Sequence, residues 1–246
     1  MVANEKGADE VVKISSEKLL LKLLNLDSED EVLEELKLTG IWEDQSCWKT
    51  LGGNDFENNA GIVQNQQALQ SAALTEKLIN SVDAVLMRAA GEREIDPRGE
   101  SAPISMAKAA EVFFGIKKGD LAHLDSRKRT ELAEQCIALV GTGGKQRMCL
   151  SVVDKGEGQG PEWFKNTFLR LGGSYKVDIP FVQGKFSMGG TGVLPYCGNL
   201  AFQLIVSKRH PTMLREGESA DWGWTITRRN PPAELRYNQK VCKLLS

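Results

Sequence analysis

Three groups of residues have the types and spacings to carry chemistry. Glu76, Asn80 and Asp83 stand four and three residues apart, which on a helix puts two carboxylates and an amide on one side. The carbonyl of Asn80, joined by phosphate oxygens and waters, suits the octahedral oxygen shell of Mg2+. Glu76, one turn earlier, is placed to orient and deprotonate a water for attack on a terminal phosphate. Downstream, Asp154-Lys-Gly156-Glu-Gly158 follows a short apolar run. A carboxylate there can accept a hydrogen bond from an exocyclic amine such as adenine's, while the two glycines let the chain turn sharply beside a ligand. Third, Gly184-Lys-Phe-Ser-Met-Gly189-Gly190-Thr191-Gly192 gathers backbone amides with few side chains in the way. A helix start is expected just after it, at 193–197, and the combination suits an anion such as phosphate.

Taken singly, each group has an ordinary explanation: the polar side of a solvated helix, an Asp-Gly turn, a flexible glycine loop. Their joint order carries more. Glu76-xxx-Asn80-xx-Asp83-Ala84, then Asp154-x-Gly156-x-Gly158, then the 184–192 glycines, resembles the signature of the gyrase, heat-shock chaperone, histidine kinase and MutL (GHKL) ATPases over roughly residues 60–228. The resemblance implies the Bergerat fold, with Glu76 similar to the general base, Asn80 to the magnesium ligand, Asp83 to a further ATP contact and Asp154 to the adenine-reading aspartate. It places Gly156 and Gly158 beside adenine, and Gly184, Gly189, Gly190, Thr191 and Gly192 around the phosphates of Mg-ATP. It also offers Thr225, in Gly223-Trp-Thr225, as a second adenine contact. Lys176 and Lys185 lie in the expected lid, 172–190, where they either add contacts to phosphate or remain solvated.

Three departures from the family pattern stand out. Ser187 replaces the middle glycine of the lid motif. The interval from Glu76 to Asp154 is long, implying a helical insertion near 91–144. The sequence given runs only to Ser246, with no room for the following domain that supplies a lysine to the terminal phosphate in gyrase-like and MutL-like members. The function expected is therefore Mg-dependent ATP binding with slow hydrolysis coupled to lid closure. The alternative is an ATP-binding regulatory module without significant turnover, or the N-terminal part of a larger machine. A second copy or a downstream domain is the partner such a switch implies.

These residues need elements to position them. Leucines at helical spacing within 19–38 predict two short amphipathic helices, an N-terminal appendage over 1–50. A stretch without Pro or Gly predicts one helix over 63–90, and further helices are expected over 104–114 and 127–139, ended by the glycines of 141–144. Residues 148–153 predict a buried strand emptying into the Asp154 loop, and 200–207 and 222–228 predict two more strands. Helices first and strands later give an α/β (α+β) sandwich with a mixed sheet and helices on one face. The domain expected is 51–230, followed by a polar tail over 231–246.

Composition narrows the alternatives. Lys and Arg number 31 against 33 Asp and Glu, a net charge of −2, so the broad positive field of a nucleic-acid binder is missing. The longest early apolar run, at 19–21, is too short for a membrane span or a signal-peptide core, and a cytoplasmic location is expected. Five scattered cysteines without a CxxC pair read as reduced thiols. Gly141-Thr-Gly-Gly-Lys145 lacks the Ser or Thr that a P-loop requires after its lysine. Neither His123 nor His210 has a nucleophile partner, and His123 follows rather than precedes the Asn80 helix, which argues against a phosphoacceptor role.

Overall fold

The computed structural model describes residues 14–52, 63, 68–145, 147–171, 176–184, 190–230 and 234–242. Helices α1 (Ser16–Leu23) and α2 (Glu29–Leu38) begin where the sequence offers hydroxyl caps: Ser15 accepts from the Lys18 N–H, and Ser28 forms a capping box with Glu31. Helix α3 runs Gln70–Gly91, starting after an extended Leu69 and so later than the apolar spacing predicts. Two polar residues in its middle, Ser81 and Asp83, are buried, which the side of a solvated helix would not produce.

The C-terminal half of α3 packs on α4 (Met106–Phe114), which ends at Gly115 in the left-handed conformation. Leu86, Ala89 and Ala90 meet Ala109 and Phe113 there, together with Ile179, Phe181 and Val182. The Phe113 and Phe181 rings pack edge to face with centroids 6.1 Å apart, so this core fixes the chain just before Gly184.

Helix α5 covers Ser126–Gln135, capped by Asp125. The helix expected through residue 139 stops at Gln135, and 137–144 forms a strand instead. β2 (Ile137–Gly144) and β3 (Arg147–Asp154) make an antiparallel hairpin in register from Ile137↔Asp154 to Gly144↔Arg147. A short apolar run does not distinguish strand from helix by periodicity, and here strand pairing decides. Nor is β3 buried as expected: Met148, Leu150 and Val153 are 57%, 44% and 55% exposed, because among the described residues the hairpin pairs only with itself.

The other strands, β1 (Lys49–Thr50), β4 (Gln203–Ser207), β5 (Trp222–Asn230) and β6 (Glu234–Cys242), form one sheet in the order β1-β6-β5-β4. Every pairing in it is antiparallel, where a mixed sheet was expected. The expected tail, 231–246, instead contains β6, whose alternating Leu235 and Tyr237 are buried.

Both faces of this sheet are covered. Trp224 and Ile226 of β5 pack with Leu204 and Val206 of β4 against Leu19, Leu20, Leu23 and Leu36 of α1 and α2. The leucine-rich N-terminal segment thus buries its apolar stripe on the sheet. On the opposite face, Leu235 and Tyr237 join Phe164, Leu169, Leu171 and Leu194. Among the described residues no helix is long and apolar enough to cross a membrane, and Cys47, Cys136, Cys149 and Cys197 form no disulfide.

Arg228 pins the N-terminal segment to β5. Its guanidinium carbon lies 4.4 Å from the Trp42 ring centroid and 4.1 Å from that of Trp48. It also donates to the Trp42 carbonyl at 2.7 Å and to Gln45 Oε1 at 3.2 Å. Arg228→Ala removes both hydrogen bonds and both ring contacts, an expected loss of about 3 kcal/mol. Urea unfolding followed by tryptophan fluorescence checks it; an unchanged midpoint would show that the segment is held by its leucines alone.

Candidate functional site

Helix α3 gathers the site through two adjacent stripes. On one, Ser81 Oγ donates to Asp154 Oδ2 at 2.9 Å, and the Ala84 carbonyl accepts the Glu157 N–H at 2.9 Å. The Gly156 N–H donates to Asp154 Oδ1 at 3.0 Å, so each carboxylate oxygen holds one donor and keeps lone pairs free. A Cβ on Gly156 would lie 2.4 Å from the Ala84 Cβ, which only glycine avoids. Gly158 has φ +56°, and a Cβ there would sit 1.9 Å from the Lys208 carbonyl oxygen. The far side of the loop is clamped by Arg209, which donates to Glu157 Oε2 at 3.1 Å and to the Gly158 carbonyl at 2.9 Å.

On the second stripe, fully buried Asp83 accepts from the Gln183 N–H at 3.0 and 3.2 Å and from the Gly184 N–H at 2.7 Å. These charge-assisted bonds fasten the root of the glycine-rich segment to α3 and occupy Asp83, which therefore positions backbone. A Cβ on Gly184 would lie 2.4 Å from Asn80 Oδ1, so glycine brings the chain against that amide. One turn earlier, Lys77 Nζ donates to the Gly190 carbonyl at 2.5 Å. Helix α3 thus touches the Asp154 loop and both described ends of the 184–192 segment.

Compared with family models, curated proteins and solved structures, the chain matches none.

Glu76 and Asn80 are partly exposed on α3, and their side chains make no hydrogen bond or ion pair among the described residues. Among those residues no three His, Cys, Asp or Glu side chains cluster as a metal site; two oxygens of α3, Asn80 Oδ1 and Asp83 Oδ2, lie beside Gly184, and Asp83 is bonded to backbone amides. Thr225 is buried within β5 with Oγ1 unpartnered. It pairs with Gln239, whose Nε2 donates to the Pro161 carbonyl at 2.5 Å, and it shares a sheet face with Gly223, where a Cβ would be 2.8 Å from Pro161. The hydroxyl therefore points to the layer formed by the end of the Asp154 loop, on the same sheet face as Gln239, whose Oε1 is also unpartnered among the described residues.

Other expected residues are placed less tellingly. Lys176 is partly exposed, and its backbone carbonyl accepts from the Ile179 N–H at 3.2 Å; no described bond joins its side chain to α3. Lys185 and Gly189 lie outside the described residues, as do the expected lid's residues 172–175 and 185–189. Thr191 and Gly192 are buried, and Gly190 is open to a Cβ. The helix start expected at 193–197 is a three-residue 3-10 turn, Leu194–Tyr196, containing Pro195. It is too short to aim a helix dipole at an anion.

Sequence reasoning missed Lys77, Ser81, Arg209 and Glu157. The first two had a signal. Residues 77, 81 and 84 repeat the four-and-three spacing of 76, 80 and 83 one position on, so they form the neighbouring stripe. The clamp of Arg209 on Glu157 joins residues 52 apart and had none.

Proposed function

We propose that this chain binds ATP with Mg2+ against α3, hydrolyses it slowly and couples nucleotide state to the position of its glycine-rich segment. The observation that carries the proposal is the convergence on one helix of an accessible Asp154 carboxylate and the glycine root at Gly184, with Asn80 and Glu76, unpaired among the described residues, between that root and the start of the helix. The Asp154 carboxylate accepts from adenine's amine, and backbone amides of the glycine-rich segment beyond Gly184 receive phosphate oxygens. Asn80 Oδ1 would hold Mg2+ with phosphate and water oxygens, the ion neutralising phosphate charge. Glu76 takes a proton from water; the water oxygen bonds to the terminal phosphorus as its bond to the leaving ADP oxygen breaks.

A binding module with negligible turnover is the second reading. It is favoured by the absence, among the described residues, of any group that orients Glu76.

Titration calorimetry of the full chain with ATP and GTP, with and without Mg2+, tests the proposal. ATP is expected to bind only with Mg2+ present and about tenfold or more tighter than GTP, whose carbonyl would face the Asp154 oxygens. Equal affinities would remove Asp154 as the base reader, and no ATP binding would remove the proposed function.

A further inference from the structure

Lys77 is the next residue after Glu76, and its ammonium points inward to the Gly190 carbonyl, 2.5 Å away. Among the described residues no carboxylate forms an ion pair with it. Burial without a counter-anion is costly and holds this amine at about 8, well below the ordinary lysine range. The ionisable group that acts on it is the Cys197 thiol, itself pushed up to about 11 by burial and so neutral near pH 7. Cys149 and Glu29 act in turn on Cys197, and neither is paired with Lys77.

The order of contacts along α3 gives this cation a place. Ser81 and Ala84 hold the Asp154 loop, Asn80 and Asp83 the root at Gly184, and Lys77 the far end at Gly190. From Ala84 to Lys77 the helix advances about 10 Å, so Lys77 stands at the opposite end of the site from Asp154, beside Glu76. An ammonium has three donors, and Gly190 takes one.

We propose, resting on the ATP assignment above, that Lys77 is the in-chain cation for the terminal phosphate, binding it with its two remaining N–H groups while keeping hold of Gly190. The phosphate supplies the missing counter-anion. Lys77 thereby distinguishes ATP from ADP and links the terminal phosphate to the end of the glycine-rich segment.

The test is calorimetry of the full chain with Mg-ATP and Mg-ADP, for wild type and Lys77→Met, with thermal melts to verify folding. Lys77→Met is expected to weaken ATP about tenfold or more while leaving ADP within roughly threefold. In the wild type, the ratio of ATP to ADP affinity should fall as pH rises through 8, because binding then requires protonating a neutral amine. The same ratio in the variant should be flat. The wild-type pH series stands on its own should the variant fail to fold. Equal losses for ATP and ADP, or a wild-type ratio indifferent to pH, would overturn the role of Lys77 and leave the ATP assignment intact. Failure of the wild type to bind either nucleotide would overturn both.

Discussion

Asp154→Asn is expected to weaken ATP binding about thirtyfold, the equivalent of roughly 2 kcal/mol for one hydrogen bond to a charged acceptor. Both oxygens of Asp154 already receive donors, from Ser81 Oγ at 2.9 Å and from the Gly156 N–H at 3.0 Å. An amide has one carbonyl to offer where the carboxylate has two oxygens. Turned toward Gly156, its carbonyl leaves an NH2 facing Ser81, whose hydroxyl can rotate to accept. Turned the other way, the NH2 opposes the Gly156 N–H. Adenine's amine therefore meets a weaker acceptor or another donor. Ser81→Ala removes one support and keeps the carboxylate, so its loss should be several-fold at most. Calorimetry on both variants, with melts showing an intact fold, separates these effects; ATP affinity unchanged by Asp154→Asn would mean that the carboxylate orders its own loop and does not read the base.

The parts of the site legible in the sequence are those fixed by local geometry. The 76/80/83 spacing places three groups on one side of α3, and an apolar run ending in Asp-x-Gly-x-Gly gives a strand leading into a turn, as β3 and its loop do. The glycines at 156 and 184 stand where a Cβ would strike α3. Positions whose environment depends on distant chain were not legible. Asp83 looks like a ligand contact in sequence; buried against Gln183 and Gly184, it organises backbone 100 residues away. β6 carries its Leu235 and Tyr237 among Arg236, Asn238 and Gln239, a polar run whose alternation counts only once β5 lies alongside. The start of β2, 137–139, falls inside the helix expected over 127–139, and hairpin pairing with β3 overrides that expectation. The leucines of α1 and α2 announce an amphipathic pair without naming the surface they cover, which is set by Trp224 and Ile226.

Glu76→Ala should separate binding from turnover. Glu76 is partly exposed, one turn from Asn80, and pairs with no described residue, so its removal leaves no buried partner unsatisfied and costs the fold little. ATP affinity should stay within a few-fold, because Asp154 and Asn80 remain. A positioned general base contributes about a hundred- to ten-thousandfold to proton transfer, so phosphate release in single-turnover assays should fall by at least the lower figure. Glu76→Gln gives the finer comparison: it keeps the side chain's size and its capacity to hydrogen-bond water, and loses only the ability to take the proton. Equal loss in both variants identifies proton transfer as the missing function, whereas activity retained by Glu76→Gln limits the residue to orienting water. Turnover unchanged in Glu76→Ala would assign the chemistry to another group and favour the binding module, with α3 serving as a frame for nucleotide rather than as the source of the base.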